Sequence, residues 1–240
     1  MAKRKSKKKF FMILLFVLLL VTVGVVGYCN QRRIKEKNVS KEVENSSMEK
    51  DNEEEKVLEK GYNLPVDNSE KEEAENDCKK VMEVIADLYK GAEKGESSNV
   101  VLSDQTIMEM LEKIKEMGYP VMDEQVYSDI ENYEVVDDFL QKCIDGKSGA
   151  IPIYQIRSDG GIGRSKFIFN GKDMYVLAAS AVWNQENKPG IVYISYTRIK
   201  EWDYTEEGCF CFELCVPEPP EVTEIVDGSC MIKVKPMNDE

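Results

Sequence analysis

The polar and apolar positions of this chain fall into three regimes. An uncharged, mostly apolar run of 19 residues extends from Phe10 to Tyr28. A helix of that length spans roughly 28 Å, close to the hydrocarbon thickness of a bilayer, whereas the apolar part of a cleaved signal usually has roughly 7 to 15 residues. The pattern therefore predicts a membrane-spanning helix at residues 10–28. From Asn30 to about Asn68, Lys, Glu, Asn and Ser dominate around the charge run Glu49-Lys50-Asp51-Asn52-Glu53-Glu54-Glu55-Lys56. Such a segment buries too little to fold alone and is expected to be a disordered linker over 30–68. Periodic patterns begin near Ser69 and define a folded domain over 69–240.

Within that domain the period is first helical. Cys78, Val81, Met82, Ile85, Leu88 and Tyr89 recur at three- and four-residue spacing up to Gly91. A second helix carries Ile107, Met108, Leu111 and Ile114, with Ser103 or Asp104 as its cap and Gly118 and Pro120 as its stop. A third runs from about Tyr133 to Ile144, with Val136, Phe139, Leu140 and Cys143 inward. After Gly149 the period becomes two and β-branched and aromatic residues take over. Strands are predicted at Ala150–Arg157, Lys166–Phe169, Met174–Leu177, Ile191–Trp202, Cys209–Val216 and Ser229–Val234, the clearest hairpin turning at Asn170-Gly171. Helices first and strands afterwards imply an α+β fold. Two to three helices are expected on one face of a meandering antiparallel sheet, an order that fits cystatin-like and nuclear-transport-factor-like domains. Pro217-Glu218-Pro219-Pro220 is a stiff lead into the last strand, and the abrupt ending at Pro236-Met237-Asn238-Asp239-Glu240 suggests an edge strand or a shortened form of a longer protein.

Charge adds an orientation. The net charge is -13, yet six of residues 3–9 are basic, and the part beyond the apolar run holds 26 basic against 45 acidic residues. Six positive charges on a short tail resist translocation, so the N-terminus is expected in the cytoplasm and the domain outside the cell membrane as a single-pass protein. Two other fates stay open. Val25 and Gly27 are small enough for cleavage after Gly27, and Cys29 is conceivable as a lipidation site, although Tyr28 before it fits a lipobox poorly. The acidic body repels phosphate backbones, so no nucleic-acid partner is expected. Asn38-Val39-Ser40 and Asn45-Ser46-Ser47 match a glycosylation sequon that polar linkers contain by chance.

The chain has no histidine, which removes the commonest general base and every triad that runs through imidazole. Its most suggestive cluster is Cys209-Phe210-Cys211-Phe212-Glu213-Leu214-Cys215, where strand alternation puts the thiols and Glu213 on one face. With Cys230 these cysteines are candidates for a thiol cluster or a disulfide, against the plainer reading of small buried apolar residues; no metal or cofactor is expected. Gly160-Gly161-Ile162-Gly163 precedes a strand rather than a helix and reads as a hairpin turn, not a phosphate loop. Glu201, Asp203, Glu206 and Glu207 read as a solvated strand end and turn. Tyr175, Trp183, Tyr193, Tyr196, Trp202 and Tyr204 lie on two neighbouring strands. Of these, Tyr175, Trp183, Tyr193 and Trp202 are the candidate ligand-face aromatics of a concave sheet, most of the group being core.

The stretch from Ile151 to Pro236, above all Phe167-Ile168-Phe169-Asn170-Gly171-Lys172-Asp173, Trp202-Asp203-Tyr204 and Leu214-Cys215-Val216-Pro217-Glu218-Pro219-Pro220-Glu221-Val222, resembles a family of uncharacterised, signal-anchored proteins of Gram-positive gut bacteria. The resemblance implies a similar anchor and domain and carries no activity or site residue with it. The expectation is a non-enzymatic extracytoplasmic module that binds a protein, peptide or cell-wall component through its sheet. The alternatives are a hydrolase using acidic or cysteine residues, and a structural accessory of a membrane complex.

Overall fold

The computed structural model describes residues 59–94, 100–124, 129–217 and 229–236. The 10–28 run, Cys29, the linker up to residue 58, the proline-rich lead from residue 218 onward and the last four residues lie outside them. Among the described residues no helix is long and apolar enough to cross a membrane.

Helix α1 spans Asn68–Gly91 and α2 spans Asp104–Glu116. A capping box starts α1: Asp67 Oδ1 accepts from the Glu70 amide at 2.8 Å, and Glu70 Oε2 accepts from the Asp67 amide at 3.3 Å. Ser103 caps α2 through a 3.2 Å bond from the Thr106 amide. Helix α3 covers Tyr133–Ile144. Its preceding residue, Asn132, sits at φ 56° and sends Nδ2 to the Lys115 and Tyr119 carbonyls at 2.8 and 2.9 Å, tying the start of α3 to the open end of α2.

Seven strands form one curled sheet in sequence order: β1 Val121–Asp123, β2 Gly149–Ile156, β3 Ile162–Phe169, β4 Met174–Trp183, β5 Pro189–Tyr204, β6 Cys209–Leu214 and β7 Ser229–Lys233. All neighbours are antiparallel except β1, which pairs parallel with β2. The sheet is thus mixed rather than purely antiparallel, because the connection from β1 to β2 passes through α3 and returns the chain in the same direction. Pro152 fits in β2 because β1 pairs only with Tyr154 to Ile156, leaving no strand beside Pro152 on that side among the described residues. At the β3–β4 turn Gly171 takes φ 97°, while Asn170 acts through its side chain, accepting from the Lys172 and Asp173 amides at 2.9 and 2.8 Å.

The helices also divide between the two faces, where one covered face was expected. Side-chain alternation splits the apolar residues of each strand into two cores. On one face α1 and α2 pack on Tyr154, Ile156, Ile162, Leu177, Ala179 and Ala181, the alanines letting α1 approach closely. On the other face α3 packs with Ile151, Ile153, Phe167, Phe169 and Met174, and this core continues through Phe210, Ile232 and Val234. The folded unit begins before Ser69: Gly61 and Leu64 are buried, Leu64 N–H donates to the Tyr196 carbonyl at 2.9 Å, and the Gly61 carbonyl accepts from Arg198 N–H at 2.7 Å. A polar composition hid two residues that dock on β5.

Candidate functional site

Strand β5 is long, and its neighbours cover it unequally. β4 pairs with it from Pro189 to Ile199, but β6 joins only from Ile199 onward. Gly61 and Leu64 take the side away from β4 at Tyr196 and Arg198. From Pro189 to Ser195 no strand occupies that side among the described residues. Backbone groups of alternate residues point to the same side of a strand. Since Tyr196 and Arg198 bond outward, the Ile194 N–H and C=O also face the open side.

Beside this edge lies a cavity of about 230 Å³ lined by Glu75, Cys78, Lys79, Ala181, Pro189, Gly190 and Ile191. Its lining mixes Cys78, Ala181, Pro189 and Ile191 with both charges of Glu75 and Lys79 on α1. Val192 is 62% exposed at the same edge, an unusual position for a large aliphatic side chain. The run Pro189-Gly190-Ile191-Val192-Tyr193-Ile194-Ser195 carries no charge, so its guards against edge pairing are Pro189 and the register shift opposite Ser180 and Ala181.

The four candidate aromatics do not share a face. Tyr175 and Trp183 lie on the α1 side, where Tyr175 packs on Tyr196 with ring centres 5.6 Å apart. Trp183 stacks on Tyr89 at 4.5 Å and donates Nε1 to the Gly160 carbonyl at 2.8 Å, which makes it part of the packing between α1 and the sheet. Trp202 is on the other face, edge-on to Phe169 and Phe210 within the α3-side core. Tyr193, opposite Ser180, is the one beside the open edge; burial pushes its phenol up, partly offset by its bond with Ser195.

The cysteines separate in the same way. Cys209 and Cys211 share one face of β6, but Cys230 stands opposite Phe212 and so belongs to the other face. Cys215 lies past the end of β6, buried beside Gly61, where a Cβ on Gly61 would come within 2.7 Å of its sulfur. Among the described residues no group of three or more cysteine, aspartate or glutamate side chains is placed to hold a metal ion. The glycine-rich turn is closed by the chain itself. Arg157 donates to Asp159, to Ser180 and to the Ala181 carbonyl, and Asp159 accepts from the Gly161 amide at 2.7 Å, leaving this guanidinium committed.

One buried charge group escaped the sequence reading. Arg164 on β3 is 1% exposed and bonds Asp77 and Glu73 of α1, and Glu73 also takes a bond from Lys166. Its single sequence signal was weak: Glu73 and Asp77 are four apart on the face of α1 that carries Cys78 and Val81.

A model of the family of unknown function DUF6070 matches residues 71–240. The chain belongs to that family. The DUF6070 match takes in all three helices but for the first turn of α1, together with the whole sheet, the β5 edge and the two sulfur-bearing strands β6 and β7. No curated protein and no solved structure matches the chain.

Proposed function

We propose that this DUF6070 protein is a non-enzymatic binding module that takes up an extended peptide segment of a partner protein along the open edge of β5, from Pro189 to Ser195. The observation that carries the reading is that edge, unoccupied among the described residues, which the chain's own Gly61–Leu64 segment already extends by two backbone bonds at Tyr196 and Arg198. An added strand gains affinity from main-chain bonds and specificity from pockets that receive alternate side chains. The cavity between α1 and Pro189, Gly190 and Ile191 is suited to one such side chain, of apolar body, with Glu75 and Lys79 able to meet a polar tip. The hydrophobic run at 10–28 and the basic residues before it support a setting in which the module is held outside a cell membrane, facing partners there.

The test is site-specific photocrosslinking in cells that express the full chain. A crosslinker at Val192 is expected to capture a protein partner, whereas one at Met108, 57% exposed on α2, captures none. Val192→Lys, a charge of the kind that blocks edge pairing, is expected to leave folding intact and lower capture at neighbouring positions at least about tenfold. Equal capture at Val192 and Met108 would overturn the reading.

A further inference from the structure

We propose that Cys209, Cys211 and Met231 form a binding site for a soft monovalent metal ion, with Cu(I) the ion their chemistry favours. Cys209 and Cys211 are two residues apart on β6, so both side chains leave the same face, and Met231 of β7 is the direct cross-strand partner of Cys211. Three sulfurs therefore emerge together. Both thiols are free and half-buried, and Met231 is 49% exposed, so an ion can reach them. Helices α1 and α2 lie over β2 to β5 on this face, and among the described residues no helix covers the β6–β7 end.

Geometry separates this site from the alternatives. Along a strand Cys209 and Cys211 stand about 6.6 Å apart, at the upper limit for a disulfide, which needs sulfurs about 2 Å from each other. A metal between them, with bonds of about 2.3 Å, asks for sulfurs roughly 4 Å apart, which this spacing meets more easily. Zinc wants four nitrogen, sulfur or carboxylate donors in a tetrahedron; the register sends Cys230 to the other face, and Asp203, opposite Cys211 on β5, completes no set of three with the two thiols among the described residues. Two thiolates and a thioether are the soft donor set that selects Cu(I). Binding displaces one proton from each thiol to solvent, forms two copper–thiolate bonds and one bond from the thioether lone pair, and moves no electron. The complex carries one negative charge, with Lys233, the cross-strand partner of Cys209, on one side and the Asp203 carboxylate, the partner of Cys211, on the other.

The full-length chain, reduced and anaerobic, should be titrated with Cu(I) in competition with a chromogenic Cu(I) chelator. The chain is expected to remove one copper per molecule, and Cys29→Ser to leave that unchanged. Cys209→Ser and Cys211→Ser should each abolish stoichiometric uptake, and Met231→Leu should weaken it at least about tenfold. Near-ultraviolet circular dichroism checks that each variant keeps the native fold. If the chelator keeps the copper, if a folded double variant Cys209→Ser/Cys211→Ser binds as well as the wild type, or if Met231→Leu binds unchanged, the site does not exist.

Discussion

Arg164 Nη2 donates to Asp77 Oδ2 at 2.7 Å while Nε of the same guanidinium reaches that oxygen at 3.1 Å. The pair fixes α1 to β3 from within the interface: Arg164 is 1% exposed, and Asp77 keeps some contact with water. Its Nη1 lies buried without a hydrogen-bond partner among the described groups, so the guanidinium depends on its acidic neighbours for compensation.

Removing the acid is therefore worse than removing the base. Asp77→Ala strands a buried cation, and with Glu73 still 3.0 Å away as a second partner the expected loss is about 3 kcal/mol, the low end for a broken buried pair. Arg164→Met replaces the cation by an apolar chain of similar length and leaves Asp77 near enough to water to be solvated, so the loss is expected to be smaller, about 1 kcal/mol. Urea unfolding of the two variants measures the order directly. A larger loss in Arg164→Met would mean that the pair is not what holds the helix.

The stack of Trp183 on Tyr89 gives a second test, because it assigns to packing a residue that also qualifies as a ligand-binding aromatic. Trp183→Phe keeps a ring on Tyr89 but loses the bond to the Gly160 carbonyl, for an expected cost of about 1 kcal/mol. Gly160→Ala should cost more, about 2 to 3 kcal/mol, since φ is 74° and the new Cβ would lie 2.8 Å from Leu102 Cδ1 and 2.9 Å from Tyr89 Cδ2. Thermal melts report both losses, and crosslinking at Val192 should persist in Trp183→Phe. Lost capture in a folded Trp183→Phe protein would return this tryptophan to the binding surface.

Local physics made much of this fold readable. The three helices follow from stripes such as Val136, Phe139, Leu140 and Cys143, all buried as expected, and the β3–β4 hairpin from Asn170-Gly171, whereas on α2 Met108 turns outward and Met110 takes its place in the core. What was hidden depended on partners far away in sequence. Val121–Asp123 is too short to show alternation, and only its pairing with Tyr154 to Ile156 makes it a strand and the sheet mixed. Nothing local says that α3 crosses to the other face, since an amphipathic stripe names no destination. The β5 edge was illegible for the same reason: Pro189 to Ser195 reads as an ordinary strand, and its open side appears only once β6 is seen to start pairing at Ile199. The alternation of Cys209 and Cys211 was legible, whereas Met231 beside them, and Cys230 turned away, needed the register of β7.

The thiols also provide a pH-dependent test of the core. Burial pushes Cys78 up to about 12 and Cys143 up to about 11, from 9.0 for a free thiol. Because the folded values are raised, the folded state favours the neutral form; the associated stability is fully present below about pH 9 and drains away as pH climbs through 11 to 12. Cys211 is also raised, by burial and then by Cys209 and Asp203, but it remains half-exposed. Urea midpoints should hence stay level up to about pH 9 and fall beyond it. At pH 8, iodoacetamide should modify the half-exposed Cys209 and Cys211, with the buried Cys78 and Cys143 protected until the chain unfolds. Peptide mapping by mass spectrometry reads this order, and labelling of Cys78 as fast as Cys209 would show that α1 does not seal the core it covers.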